Sequence, residues 1–500
     1  MATLTSNDEQ AVCGGDGLTA EELAEIDEGK EDIVANKKDF FHEIDEVREA
    51  LKTATSEDLP HAQCRVSCER IGQIWSQYQE QPALLDPFLE EMVEPLMCAI
   101  AAKVRRNDLD NPNLHLLSSL MYLLTTVRGY KTVVRLFPHE AADLEPCLEA
   151  AEEEAKKEKQ ETWSTLYCLT LWLGMVLLTP FDLSTIDSGH ESSNSLSTRI
   201  YNLALEGLKS TSRTRDASAW MLAKFFGRPD VSNTGLLQSF LAWTRNVWMD
   251  STISITAQVF VKSGVLQAWN QTLKLAPRSV MSGLWTQVLR LVLDGPSGAA
   301  DSDFGALSNL RKMRVSVACR AAMVILPPRL APWRYERGAR SLLVNFAQAT
   351  GSENAKTLAV GANTTLAEEE EDEEEAPEEI EEVVELLLTS LSDKDTIVRW
   401  AAAKAVGRIT NRLSRDFGDQ VLESLLERCF SFRESDKAWH GGCLALAELT
   451  RRGLLLPERL GTVMPLVCRA LHFEEVSGNH TLGQHVRDAA CYVCWAFARA

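Results

Sequence analysis

From Asp393 to Leu413 the chain reads DKDTIVRWAAAKAVGRITNRL. Val406, Ile409 and Leu413 recur at three- and four-residue steps, while Lys404, Arg408 and Arg412 fall on another face. That period predicts a two-faced helix. The alanines that follow Arg399 let a neighbouring backbone approach closely, which suits helices stacked in layers better than a lone surface helix.

The same register returns elsewhere. AWHGGCLALAEL surrounds His440 and VRDAACYVCWAFA follows from Arg487, each with a basic residue ahead of small residues and then a large apolar stripe. Arg399 to His440 is 41 residues and His440 to Arg487 is 47, inside the ~40 to 47 residue period of HEAT and armadillo repeats. In TRDASAWMLAKF, Arg215, Ala217, Ala219 and Phe225 align with Arg399, Ala401, Ala403 and Ile409; RVSVACRAAMVIL, from Arg314, is a fifth and weaker copy. The expected fold is therefore all-α, an α-solenoid of HEAT/armadillo-like helical repeats built as a right-handed stack of hairpins. In such repeats an Asp in the turn before the second helix can bond the Arg of a neighbouring layer, and Asp393 lies six residues before Arg399. Glu434 and Thr481 hold the matching places before His440 and Arg487, so a polar ladder is expected to be broken.

The chain divides, on this reading, into a disordered N-terminal segment (1–36), HEAT-like repeats (37–349), an acidic flexible loop (350–379) and further HEAT repeats (380–500). The last run stops at Ala500 inside WAFARA with no polar capping helix, so a truncated array with a sticky end is expected.

Composition adjusts this picture at three points. The net charge is −21, but EEEEDEEEAPEEIEE, Glu368 to Glu382, holds twelve acidic residues and no basic one, so the rest is only mildly acidic. A run of this kind repels itself and stays solvated, reading as a spacer before a docking site for a basic partner. No concentrated basic patch or aromatic–basic interleaving along the chain supports nucleic-acid binding. Twelve cysteines scattered through apolar helical runs suit reduced, buried thiols. The first lysine is Lys30, which leaves no basic leader of a secretory signal. Between Glu161 and Asp182, TWSTLYCLTLWLGMVLLTPF carries no charge over twenty residues, long enough to span a bilayer. Its hydroxyl residues, Gly174 and terminal Pro180, with no second span, place it instead as a helix buried on all sides.

Candidate chemistry loses to packing each time. His480, His485, Cys491 and Cys494 offer zinc-ligand types, yet the two cysteines are one helical turn apart beside Val493 and Phe497, as packing residues are. His440 and Cys443 flank Gly441 and Gly442, small residues of a helix crossing, with no third group to orient an imidazole. LEGLKST, from Leu205, shares only Lys209 and Ser210 with a phosphate loop. No catalytic, cofactor-binding or metal residue is assigned, and the chain is not expected to be an enzyme.

FRESDKAWHGGCLALAEL from Phe432, VRDAACYVCWAFARA from Val486, VRGYKTVVRLFPHE from Val127, PFDLS from Pro180 and FFGRPDV from Phe225 resemble the tubulin-folding cofactor D family, also called tubulin-specific chaperone D. The likeness lies between Val127 and Ala500 and is to the N-terminal part of a longer protein. It implies a HEAT scaffold that captures beta-tubulin and assembles and disassembles the alpha/beta heterodimer. It implies tubulin cofactors E and C and an Arf-like small GTPase as partners, with GTPase activator activity but the nucleotide held by those partners. It implies a microtubule-cytoskeleton setting, in keeping with the cytoplasmic compartment that the cysteines suggest; no nucleic acid and no membrane span are expected from the charge pattern and the uncharged run. A general HEAT adaptor for other protein partners is the rival reading.

Overall fold

The computed structural model describes residues 40–500 except 58, 158–162, 189–194, 251, 253, 306, 329, 332, 336–376, 432 and 478–479. The segment 1–36 and residues 350–376 of the expected acidic loop lie outside the described residues. The chain forms two compact units, the first ending at Phe137 and the second starting at Pro138. That boundary falls inside the 37–349 run that the sequence suggests is continuous.

The first unit is built from α1 (Ile44–Ala54), α2 (His61–Ser76), α3 (Leu89–Arg105) and α4 (Pro112–Leu124). Asn111 starts α4 by accepting from the Asn113 amide at 3.0 Å, and Pro112, with no N–H to satisfy, takes the first helical position. Its core gathers Trp75, Tyr78 and Phe41, all essentially buried, with Phe41 edge-on to Tyr78 at 4.9 Å.

In the second unit fourteen helices pair into hairpins: α5 (Leu144–Lys156) with α6 (Trp163–Val176), α7 (Leu196–Leu208) with α8 (Thr214–Phe226), α9 (Leu236–Met249) with α10 (Ile255–Leu275), α11 (Trp285–Leu293) with α12 (Ser308–Ile325), α13 (Glu378–Ser390) with α14 (Thr396–Thr410), α15 (Arg415–Cys429) with α16 (Asp436–Arg451), and α17 (Leu460–Leu471) with α18 (Gln484–Arg499). The second helices stack one on the next from α6 to α18 and form a continuous row. This is the α-solenoid the repeat spacing predicts. All five sequence copies are second helices, α8, α12, α14, α16 and α18. The two without a recognised copy are α6, which is the uncharged segment, and α10.

Every residue of α6 from Ser164 to Val176 is buried except Leu166 and Met175. It is a fourteen-residue layer helix, and no helix among the described residues is long and apolar enough to cross a membrane. Glu378 and Glu379 open α13 in helical geometry after Pro377, so the helix starts two residues before the 350–379 boundary. Acidic side chains suit that first turn because they face the positive end of the helix dipole.

Serines set several hairpin entries: Ser195, Ser254, Ser414 and Ser435 cap α7, α10, α15 and α16 by accepting from the amide three residues on. At the far end of α16, Gly453 takes φ +72°; the Leu454 amide reaches the Leu449 carbonyl and the Gly453 amide the Thr450 carbonyl, both at 2.9 Å. That double bond closes the helix in the manner glycine makes easy. One departure from all-helix is a short antiparallel hairpin, β1 (Glu475–Ser477) with β2 (His480–Leu482).

A candidate docking face on the second-helix row

The basic residues that open the repeat copies have been put to different uses. Arg215 lies over the Phe260 ring of the next layer, Arg314 donates to the carbonyls of Val292 and Leu293 that end α11, and Arg487 donates to the Phe473 carbonyl. Arg399 is buried; it donates to the carbonyls of Asp393 and Lys394, to Thr396 Oγ1, and through Nε to His440 Nδ1 at 2.9 Å. The carboxylate of Asp393 instead accepts from Arg311 of α12, which also reaches Asp395. The polar ladder is thus continued where the sequence suggests a break. It runs from Arg311 through the Asp393 turn and Arg399 to His440, whose ring lies 5.2 Å from that of His485, and His485 Nε2 is 3.1 Å from Asp436. Two histidines close a ladder that the Arg–Asp register alone leaves open.

This geometry holds His440 neutral. Burial, the Arg399 guanidinium and the neighbouring His485 push its pKa down to about 4, with Asp436 opposing. Cys443 is buried and its thiol is pushed up by that burial, while His440 Nδ1 is taken up by Arg399. Cys491 and Cys494 are exposed, not on the packed stripe as their spacing suggests; that stripe is Val486, Ala489, Ala490, Val493 and Ala496. No group of three or more His, Cys, Asp or Glu among the described residues is arranged to hold a metal ion. Lys209 pairs with Glu206 at 2.7 Å and Ser210 with Ser212 at 2.9 Å, an ordinary helix end.

The surface of the row carries more. Helix α16 is buried on every face from Ala438 to Thr450, so side chains of its two neighbours meet over it. Trp400 of α14 and Tyr492 of α18 come within 5.5 Å, and Tyr492 stacks on exposed Trp495 at 5.7 Å. Lys404 lies over Trp400 and Arg499 over Trp495. Tyr492 is fixed by its hydroxyl, which bonds Glu448 at 3.0 Å and Arg451 at 2.9 Å.

Beside this strip a groove of about 320 Å³ crosses α10, α12 and α14. Its lining includes Lys312, Arg320, Lys404 and Arg408, and no carboxylate among the described residues. Ala401 and Ala405 make it deep, Ile397 and Trp400 supply apolar surface, and Asn270 accepts from Arg320 Nε at 2.8 Å. Cys319 registers the field: burial pushes its thiol up, while Arg408, Arg320, Arg412 and Arg452 pull it back. Arg412, which the sequence puts on the same face as Lys404 and Arg408, turns away to cap α12 through the Met323 and Leu326 carbonyls. A concentrated basic patch thus exists in space though not along the chain. Within α14 alone the signal was readable, since Ile397, Trp400, Ala401, Lys404, Ala405 and Arg408 follow at alternating three- and one-residue steps; the α12 cations join them only by stacking.

Two family models match the chain: Tubulin-specific chaperone D-like, ARM repeat, over residues 75–248, and Tubulin-specific chaperone D-like, ARM repeats, over residues 309–500. The chain belongs to the tubulin-specific chaperone D-like family. Tubulin-specific chaperone D of Dictyostelium discoideum is 31% identical over 535 residues, taking in 86% of this chain and 36% of the relative. Tubulin-folding cofactor D of Schizosaccharomyces pombe is 28% identical over 455 residues, with the same two shares. The chain thus spans about a third of the length of these relatives. Among solved structures, Kap121p bound to Ste12p is 12% identical and covers 92% of this chain and 42% of that one, at a TM-score of 0.32, too weak a likeness to carry any argument. The aromatic strip, and the α12 and α14 walls of the groove, fall inside the second matched region; Asn270 of α10 lies between the two regions.

Proposed function

We propose that this chain is part of a tubulin-folding scaffold that captures beta-tubulin and takes part in assembling and disassembling the alpha/beta heterodimer. It works with tubulin cofactors E and C and an Arf-like small GTPase in the cytoplasm and on the microtubule cytoskeleton, and does no chemistry of its own. The observation that carries this reading is membership of the tubulin-specific chaperone D-like family across both matched regions. The physical support is the row of stacked helices, which presents a long face able to hold a folded protein by shape. GTP hydrolysis and any GTPase activation belong, on this reading, to the partners or to the rest of a longer scaffold.

The test is co-purification of beta-tubulin, and of an Arf-like GTPase, with this chain and with a full-length relative. The chain is expected to retain beta-tubulin more weakly than the whole, because linked contacts gain from effective concentration. If the full-length relative retains neither partner while an unrelated HEAT protein does, the chaperone reading is wrong and a general adaptor is favoured.

A further inference from the structure

We propose that the groove across α10, α12 and α14 is a docking site for an acidic, extended peptide segment of a partner protein, with Trp400 taking an apolar side chain of that segment. The proposal rests on the scaffold reading only in requiring a protein partner. It is carried by the composition of one surface.

Four cations converge there and no carboxylate lines the groove among the described residues, in a chain whose net charge is −21. A local reversal of sign against an acidic background is what steers and registers an oppositely charged segment. Three arginines of the second unit show the ordinary pairing of a surface cation, Arg290 with Glu382, Arg428 with Glu385 and Arg459 with Asp419, each by two bonds to one carboxylate. Neither Lys312 nor Lys404 has such a partner among the described residues; Lys404 lies over Trp400, and Ser316 bonds the Lys312 carbonyl rather than its ammonium.

Shape narrows the occupant. The small side chains of Ala401 and Ala405 line the groove between the cations, and Ile397 stands exposed at its edge. Apolar walls beside cations suit a peptide that alternates carboxylates with an aliphatic or aromatic residue. A nucleic acid fits less well, because a handful of cations within an acidic protein offers few phosphate contacts and its affinity falls steeply with salt.

The experiment uses the 500-residue chain and a fluorescein-labelled ten-residue glutamate-rich peptide containing one phenylalanine, read by anisotropy. Saturable binding is expected, weakening as salt rises. The double variant Lys404→Glu, Arg408→Glu should lose on the order of tenfold in affinity, as charged contacts at an interface do. Trp400→Ala should weaken it by less, and Lys52→Glu on α1 should leave it unchanged. Circular dichroism confirms that each variant keeps its helix content. The proposal is overturned if the double variant binds as tightly as the parent, or if single-stranded DNA of equal length displaces the peptide at physiological salt. It is also overturned if the peptide binds only once Glu368 to Glu375 are changed to glutamine, since the occupant would then be this chain's own acidic run. Measuring beta-tubulin on the same variants separates the two readings. Peptide binding by this chain, with beta-tubulin retained by neither it nor a full-length relative, leaves the groove and sinks the tubulin role, whereas tubulin retained in full by the double variant, with the peptide unbound by the parent, sinks the groove alone.

Discussion

Arg399 donates from Nε to His440 Nδ1 at 2.9 Å, joining the buried polar groups of two successive layers. That bond needs an unprotonated acceptor, so the imidazole carries its proton on Nε2. Folded His440 titrates near 4, pushed down by burial, Arg399 and His485, whereas an unfolded imidazole titrates near 6.5. The unfolded chain therefore takes up the proton first. Stability from this site is intact above about pH 6.5 and falls as pH drops toward 4, by up to about 1.4 kcal/mol per pH unit. Urea midpoints at pH 7, 6 and 5 should show this slope in the parent and a flatter one in His440→Gln. Equal slopes would mean that His440 is not the group responsible.

Glycines at helix crossings give a second, oppositely signed pair of outcomes. A methyl on Gly441 would overlap the Leu391 carbonyl oxygen, part of a backbone that cannot move aside without parting the layers. Gly441→Ala should cost about 3 kcal/mol or more, the scale of overpacking at a rigid contact. Gly461, in α17, has nothing within 4 Å of the same position, and Gly461→Ala should be neutral or stabilising by about 0.5 kcal/mol. Thermal melts of the two variants check this directly; equal melting temperatures would show that α16 does not sit as close to the end of α13 as the structure has it.

Much of the fold was legible because stacked repeats write the same small-residue crossing again and again. Arg399, His440 and Arg487 mark three successive second helices, and the uncharged run after Glu161 is the buried layer helix its hydroxyls and Gly174 suggest. Helix α10 was passed over: the small residue at its crossing is Gly264, pressed against the Leu208 carbonyl and the Arg215 side chain, and Lys262 stands two residues ahead of it, but Val265 and Leu266 follow where the α14 copy continues its alanines. The candidate face was legible only in part. Lys404 and Arg408 belong to a readable stripe on α14, but Lys312 and Arg320 come from a helix some eighty residues earlier, and Tyr492 reaches Trp400 only because α16 between them is sunk beneath both. Linear charge density records neither event.

Two adjacent alanines separate the core from that face. Ala402 is completely buried between layers, while Ala401 lines the groove and is partly exposed. Ala402→Asp places an unpaired carboxylate where nothing can bond it, at a cost of about 3 kcal/mol or more. Ala401→Asp should cost less than about 1 kcal/mol, as partly exposed substitutions away from packing do. Chemical denaturation that ranks the two the other way would reverse the assignment of the helix faces.

Glu448 is the strongest case of a buried charge holding layers together. It is fully buried on α16, yet it accepts from Arg451 at 3.2 Å and from Tyr492 of α18 at 3.0 Å, with Arg452 on its other oxygen. Arg452 in turn fills the space beside Gly407 of α14, so one carboxylate ties three consecutive layers. Removing it takes the carboxylate from Arg451, Arg452 and Tyr492 at once, and breaking a buried pair costs about 3 to 5 kcal/mol. Glu448→Ala should therefore lower the melting temperature far more than Glu385→Ala, whose pairing with Arg428 is half-exposed at 2.6 Å and worth at most about 1 kcal/mol. Glu448→Gln, which keeps the shape and the acceptor for Tyr492 but loses the charge, should fall between them. If Glu448→Ala and Glu385→Ala melt together, the cluster is not what couples α14, α16 and α18.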